Sequence, residues 1–386
     1  MSFGVSRLAV SGAVLAQRPV ALPIRIVIAS TVLMLAGSVS ADDGRAAQDP
    51  NALARTGTAA IEDGRFGDAL EAFTRAAALR PDASFCFGAG VAAFMLGQNV
   101  EAQARFECAL ALNPEYLPAA LWLGDLHYRA GRLHEAISIY ETARQRSPGA
   151  RELQEQLAIC RREQELQSRF REVRSEHFTV LFEASTDERL ARDIADRLEA
   201  AYWRVGNTLG VYPSGPVTVG LYTREQFSAI TRLAAWSAAG YDGRIRVPLG
   251  GALQQGDELD RVLSHEFVHA VVAMLGGPTV PAWVNEGLAT VLEPAGSRDA
   301  EAALARTAVR PALTKLHGSF VGLSRRDAEL AYASAARAVR RLIERRGAAA
   351  LVALLRDLSR GLPFASAFHR RMGMRYGDFA ALVPRN

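Results

Sequence analysis

Glycine and proline recur with a period of 33 or 34 residues between positions 50 and 148, and no other feature restricts the fold of this chain as strongly. The repeated positions are Gly64, Gly97 and Gly131, followed by Pro81, Pro114 and Pro148. Each unit also repeats an alanine and an aromatic residue, at Ala69 and Phe73, Ala102 and Phe106, and Ala136 and Tyr140. The period predicts stacked helix–turn–helix units, because glycine suits the turn between two helices and proline ends the second one.

The three units resemble the tetratricopeptide repeat over residues 50–148. A second glycine, seven positions before each turn, would let the paired helices approach, and the aromatic side chain would fill the gap between neighbouring units. The first helix matches less well, since Thr56 and Ala89 stand where the family has leucine and only Leu123 keeps it. The resemblance implies that the repeats bind a protein partner, with a structural spacer as the alternative. Residues 149–174 are predicted as a capping or linker helix.

Residues 1–41 have the pattern of a secretory signal. Arg25 precedes an apolar run at 26–37, and Val39-Ser40-Ala41 supplies the small residues expected at a cleavage site. The run is short for a hydrocarbon core about 30 Å thick. The sequence therefore predicts an exported protein, periplasmic or secreted, with a retained N-terminal membrane anchor as the alternative. No later segment is predicted to span a membrane.

Charge and cysteine content argue against two further classes of protein. The net charge is +4, but Lys315 is the only lysine and the arginines are scattered among 41 acidic residues. Nucleic-acid binding would need a clustered basic face, so none is predicted. Cys86, Cys108 and Cys160 are odd in number and far apart. We therefore expect small buried residues, not a disulfide scaffold or a cysteine-based zinc site.

The pattern changes after residue 174, and residues 175–386 are predicted to form an α+β domain. Strands are predicted at His177–Glu183, Pro216–Tyr222 and Gly243–Leu249, the last as an edge strand because it contains Pro248. Helices are predicted at Thr186–Leu209, Asp257–Leu275, Asp327–Arg346 and Ala349–Arg360. The chain is thus predicted to be multidomain, with all-α helical repeats followed by an α+β domain.

An HExxH sequence, His265-Glu266-Phe267-Val268-His269, lies within the predicted helix 257–275. Residues four apart share one helix face and are separated by about 6 Å along the axis, so both imidazoles can reach one ion. Zinc suits imidazole ligands and, in catalytic sites, takes three protein ligands. Glu266 is the candidate general base that takes a proton from the attacking water. Without a metal, these polar groups would be costly to bury in so apolar a helix.

A candidate third ligand, Glu286, lies 17 residues after His269 in the segment PAWVNEGLA. This distance leaves room for the first helix to end and for a second helix to present the carboxylate. Together with HEFVH, the segment resembles the gluzincin metallopeptidases, and most closely the peptidase MA-like domains found beside tetratricopeptide repeats. The resemblance covers residues 175–386. It implies a zincin-like fold, a peptide or protein substrate, catalysis by Glu266, and one Zn²⁺ ion bound by His265, His269 and Glu286.

The sequence departs from the gluzincin pattern in two places. Thermolysin-like members have an acidic residue four positions after the ligand glutamate, whereas this chain has Thr290, and Glu293 is the nearest later acid. Aminopeptidases of the clan carry a segment that holds the substrate amine, and residues 238–249 do not contain it. Asp242 is available as a substitute, but a turn residue is the simpler interpretation. The second departure favours an endopeptidase over an exopeptidase.

Two further roles are predicted around the metal ligands. Tyr332 is the candidate that stabilises the developing oxyanion, because the family has tyrosine in a comparable stretch. Packing is the alternative for Tyr332, and His317 is a second candidate for the oxyanion. The strand at 243–249 would hold an extended substrate through its backbone groups.

The sequence thus leaves two classes of function open. The first is an exported zinc-dependent endopeptidase whose repeats capture substrate or an assembly partner. The second is a non-catalytic tetratricopeptide adaptor with a structural or vestigial metal domain. The intact HExxH sequence favours the enzyme, since a degenerate copy would have no need of Glu266.

Overall fold

The computed structural model describes residues 49–231, 240–241, 243–249, 256–307, 310–320 and 322–383. The signal predicted for residues 1–41 and the candidate Asp242 lie outside these ranges. None of the described helices is both long enough and apolar enough to cross a membrane.

Helices pair along the repeats as the sequence predicts. The pairs are α1 (Pro50–Glu62) with α2 (Phe66–Leu79), α3 (Ala83–Met95) with α4 (Asn99–Leu112), and α5 (Leu117–Arg129) with α6 (Leu133–Arg146). The turns within the pairs contain Gly64, Gly97 and Gly131, whose φ angles are +72°, +71° and +77°. Glycine adopts this left-handed conformation without steric cost. The prediction of helical repeats is therefore confirmed.

The second glycine of each repeat allows its helix to contact an aromatic ring. An added Cβ atom would lie 2.7 Å from Phe73 at Gly57, 2.5 Å from Phe106 at Gly90, and 2.2 Å from Tyr140 at Gly124. Carbon atoms in contact prefer about 3.5–4.0 Å. Any larger residue at these glycines would therefore push the helices and rings apart.

A disulfide links Cys86 to Cys108, and it corrects the expectation that all three cysteines are unpaired. The Cα atoms of the pair are 5.9 Å apart, so the bond joins α3 to α4 within the second repeat. Cys160 is free and buried, as expected. The error arose because the two cysteines are 22 residues apart, and only the pairing of the helices brings them together.

The helix predicted to reach residue 174 is shorter. It is α7 (Arg151–Gln167), and residues Phe170–Arg174 form strand β1 instead. This strand pairs with β2 (Phe178–Glu183) in antiparallel register. The difference arises because residues 170–174 form a strand by pairing with the segment that follows them, and the local helical pattern does not reveal this pairing.

A mixed sheet follows, in the order β1-β2-β3-β5-β4. Strand β2 is joined through α8 (Glu188–Leu209) to β3 (Val217–Thr223), and α9 (Arg224–Thr231) follows. Strands β2, β3 and β5 (Ile245–Leu249) run parallel. The short β4 (Gly240–Tyr241) pairs antiparallel with the start of β5. Strand β5 was predicted to lie at the edge of the sheet, but β4 covers its first residues, 245 and 246. No described strand pairs with the free side of residues 247–249.

Helices surround the sheet and form most of the remaining chain. They are α10 (Gly256–Gly276), α11 (Ala282–Leu292), α12 (Gly296–Ala305), α13 (Arg325–Arg346), α14 (Ala348–Ser359), α15 (Phe364–Met372) and α16 (Tyr376–Leu382). One hydrophobic core joins β2, β3 and β5 to α8, α10, α11, α13 and α14. Helix α10 lies inside this core, because its apolar side chains are buried along nearly its whole length.

The repeats contact this second part of the chain through their turns. A Cβ atom at Gly243 would lie 2.3 Å from the carbonyl oxygen of Arg129 at the end of α5. One at Gly361 would lie 2.6 Å from Cδ2 of Leu96 in the turn after α3. The backbone therefore approaches the second and third repeats more closely than a side chain would permit.

A buried ion-pair network also joins the two parts. Glu163 of α7 is fully buried and accepts hydrogen bonds from Arg246 of β5 at 2.8 and 3.1 Å and from the Tyr128 hydroxyl at 2.6 Å. Arg244 lies 2.9 Å from the same carboxylate. Burial alone would raise the pKa of Glu163, but the two guanidiniums outweigh it and lower the pKa to about 2. The network thus depends on one carboxylate from the repeat side.

Candidate metal centre

Helix α10 presents two histidines on one face inside the core. His265 and His269 lie one turn apart, and each side chain is at most 1% exposed. The helix continues through this region because the Leu, Val and Ala side chains on its other faces pack in the hydrophobic core. The ring centroids of His265 and His269 are 4.7 Å apart. Both imidazoles therefore lie on one face of the helix.

Helix α11 presents Glu286 toward the same place. Trp283, three residues earlier, is fully buried and stacks on Tyr376 at 5.9 Å, which anchors the first turn of the helix. At Gly287, a Cβ atom would lie 2.5 Å from the carbonyl oxygen of Ala335 in α13. The buried ring of Trp283 and the close contact of Gly287 with α13 together fix the position of Glu286.

The three predicted ligands converge on one point. The Nε2 atoms of His265 and His269 lie 3.5 and 3.6 Å from Oε2 of Glu286. A tetrahedral zinc ion, with ligand distances of about 2.0–2.2 Å, holds its ligand atoms about 3.4 Å apart. In the described part of the chain, no hydrogen-bond partner satisfies the buried Nε2 of His269 or Oε2 of Glu286. Such atoms are costly to bury without a ligand, so the donor set fits a divalent cation.

Glu266 lies beside the ligands, but its carboxylate has no hydrogen-bond partner among the described residues. Both oxygens are buried without a hydrogen bond to the described residues. A ligand atom of Glu266 lies within 4.8 Å of ligand atoms of His265 and His269. Burial raises the pKa of Glu266 to about 8; the charge of His265 opposes the shift and that of Glu286 adds to it. The carboxyl is thus placed to exchange a proton near the ligands.

The outer ring nitrogens of the histidines have acceptors that orient them. Nδ1 of His265 lies 2.8 Å from Oε2 of Glu293, and Nδ1 of His269 lies 3.0 Å from Oδ1 of Asn285. A histidine that donates through Nδ1 keeps the lone pair of Nε2 for a metal. Glu293, the nearest acid after Thr290, is thus the residue that orients the ring of His265.

Two of these supporting residues were missed from the sequence. Asn285 precedes Glu286 directly, and Arg261 lies one helical turn before His265. Arg261 donates to Oε1 of Glu293 at 3.2 Å and holds that carboxylate in place. The spacing of Arg261 from the motif was the available signal, but arginine is too common in this chain to stand out.

The charge states of the two histidines differ. Burial lowers the pKa of His269 well below its usual value, so its ring is neutral. Burial also acts to lower the pKa of His265, but the neighbouring carboxylates of Glu286 and Glu293 outweigh it and raise the pKa to about 10. A divalent cation would replace the proton between His265 and Glu286, because it offers the same carboxylate a stronger charge.

Tyr332 lies beside the ligands, whereas His317 packs among aromatic rings. The Tyr332 ring is 6.3 Å from that of His265, and burial, followed by the charge of Glu286, raises its pKa well above the usual value. The phenol therefore stays protonated and able to donate a hydrogen bond. His317 contacts Phe364 and Tyr376 at centroid distances of 5.1 and 5.0 Å.

A cleft of about 940 Å³ opens from the metal ligands to the surface. His269 and Glu286 line its inner end. The repeats line one side of it, through residues around the turns of the second and third units, and α10, α11 and the segments that follow them line the other. We call this space the interdomain cleft.

We expect Glu293→Gln to weaken zinc binding about 10- to 100-fold, because an uncharged amide with one acceptor oxygen cannot accept from both His265 and Arg261. The dissociation constant can be measured by competition with a coloured chelator. Glu301→Gln is the matched control, since Glu301 pairs with the buried Arg337 but contacts neither histidine. Equal zinc affinity in both variants would show that Glu293 does not support the site.

The comparisons with known proteins concern the repeats. Two family models match, both described as tetratricopeptide repeat, over residues 54–102 and 93–160. Residues 54–160 are therefore tetratricopeptide repeats. Among solved structures, the crystal structure of MamA is similar at 24% identity and a TM-score of 0.30, over 31% of this chain and 71% of that chain. No curated protein matches the chain.

Proposed function

We propose that the chain is an exported zinc-dependent endopeptidase whose tetratricopeptide repeats bind a protein substrate or partner. The convergence of His265, His269 and Glu286 carries the proposal, because three buried ligand atoms at 3.5 and 3.6 Å match the needs of one zinc ion. The α+β character of residues 175–386, the zincin-like fold and the export signal belong to the same proposal.

The residues of the site have separate tasks in this proposal. A zinc ion held by the three ligands would supply Lewis acidity toward a peptide carbonyl and its attacking water. Glu266 would take a proton from that water and deliver it to the leaving amine. Tyr332 would donate a hydrogen bond to the oxygen that gains negative charge. Glu293 and Asn285 would keep the histidine rings in the orientation that binds metal.

The adaptor is the alternative, and the comparisons support it better than they support the peptidase. Tetratricopeptide repeats suggest a protein-interaction role, and both family matches end by residue 160. In that reading the repeats carry the function, and the converging ligands of the second part hold a structural ion. What favours the enzyme is Glu266, since a structural site has no use for a buried carboxylate that binds nothing.

The two functions are separated by measuring metal and turnover in one preparation. We expect residues 42–386 to contain about one zinc ion per chain and to cleave casein and peptides with both ends capped. Zinc without cleavage of any peptide in a broad capped library would support the adaptor. Cleavage that requires a free amino terminus would identify an exopeptidase instead.

A further inference from the structure

The interdomain cleft has an apolar mouth built from both parts of the chain. Val100, in the first turn of α4, is 86% exposed, and Met274, near the end of α10, is 46% exposed. Both line the cleft, together with the half-buried Phe94 and Val280. Two exposed apolar side chains, one from each part of the chain, thus line the cleft that reaches the metal ligands, and an apolar patch in such a cleft is typical of a binding surface.

The charged groups of the repeat side do not offset this apolar character. Arg129 donates to Asp125 at 2.6 Å, so its charge is compensated within α5. Arg132 donates to Nδ1 of His127 at 2.9 Å and to Gln103 at 3.3 Å. Both guanidiniums are thus committed to neighbours on the repeats.

The repeat side is held close to the ligands by the contacts between the two parts. Gly243 packs against the carbonyl of Arg129, and Gly361 packs against Leu96. The Glu163–Arg246 pair fixes α7 to the sheet. The cleft that reaches His269 and Glu286 is therefore lined by α4 from the repeats and by α10 from the second part of the chain.

We infer that the turns of the second and third repeats form one wall of a peptide-binding site and select apolar side chains next to the metal ligands. The occupant is an extended polypeptide segment with large aliphatic or aromatic residues. The inference rests on the proposed function for the identity of the occupant as a substrate. It differs from the usual view of such repeats, since their turns, and not their concave face, meet the peptide.

Peptide binding can be measured without turnover in zinc-loaded Glu266→Gln protein. The probes are fluorescein-labelled, capped twelve-residue Gly/Ser peptides whose centre is Leu-Phe-Leu, Ser-Ser-Ser or Asp-Asp-Asp. We expect the Leu-Phe-Leu peptide to bind at least about tenfold more tightly than the other two, since each apolar side chain leaves water on binding. Val100→Gln and Met274→Gln should each weaken its binding at least about fivefold.

Leu112→Gln is the matched control, because Leu112 is also exposed on α4, at 45%, but does not line the cleft. It should bind the Leu-Phe-Leu peptide as tightly as the unaltered protein. Equal affinity for all three peptides, tighter binding of the Asp-Asp-Asp peptide, or equal effects of all three substitutions would overturn the inference.

Turnover is scored separately, so the two proposals can fail separately. Selective binding in Glu266→Gln protein, with no cleavage by the unaltered chain, would remove the peptidase and leave the binding site. Cleavage by the unaltered chain, with KM unchanged in Val100→Gln and Met274→Gln, would keep the peptidase and remove the apolar site. In the expected case both substitutions raise KM for Leu-Phe-Leu peptides and leave kcat and zinc content unchanged.

Discussion

Glu266→Gln should reduce the turnover of capped peptides by a factor of about 10²–10⁴ while zinc content stays near one ion per chain. The reason is that Glu266 is buried beside the ligands yet is separate from the three atoms that converge. Glutamine keeps the shape of the side chain but cannot take a proton. Peptide turnover by fluorescence and zinc by elemental analysis, on the same sample, measure the two effects.

Two controls frame this prediction. Asp257→Asn makes the same change of charge at an exposed position in the first turn of α10, and it should leave turnover and zinc unaltered. His269→Ala should lose both together, since it removes a ligand. Full turnover in Glu266→Gln would exclude the residue as general base, and loss of zinc in that variant would mean that it is a ligand instead.

The repeats could be predicted from sequence because their determinants are local. Each turn needs a left-handed residue, and each helix pair needs a small residue against a ring, so the requirements recur at the period of the unit. The disulfide between Cys86 and Cys108 escaped prediction for the opposite reason. It depends on the distance between two helices, and two cysteines 22 positions apart in the sequence carry no sign of it.

The candidate metal ligands were predictable because a helix places residues four apart on one face. The third ligand needed only a second helix soon after the first. The supporting groups were harder to find, because they depend on how α10 and α11 are turned relative to each other. Glu293 could be named as a nearby acid, but its contact with His265 became visible only in three dimensions.

The contacts between the repeats and the second part of the chain could not be predicted from the sequence. Arg246 was assigned to a strand expected to lie at the sheet edge and hold a substrate, whereas its side chain is buried against Glu163. Neither residue belongs to a motif. Their pairing follows from the docking of α7 on the sheet, which the period of the repeats does not specify.

The Glu163 network gives a second large expected effect, on stability. Glu163→Gln should lower the free energy of unfolding by about 3 kcal/mol or more, because two buried guanidiniums lose their counter-charge. Burial would raise the pKa of Glu163, but Arg246 and Arg244 lower it to about 2, so its contribution is present above the unfolded pKa of about 4.3. It is lost as the pH falls from there toward 2.

Urea denaturation followed by circular dichroism at several pH values measures both effects. Glu165→Gln is the matched control: Glu165 lies on the same helix, its side chain is 69% exposed, and it pairs with Arg169. Its loss should change the free energy of unfolding by less than about 1 kcal/mol.

The unaltered protein should lose stability between about pH 4.3 and pH 2 more steeply than Glu163→Gln, which has no carboxyl to protonate at that position. If the two variants matched each other at neutral pH, the carboxylate of Glu163 would not be what holds the repeats against the sheet, and the close glycine contacts at Gly243 and Gly361 would have to account for the docking.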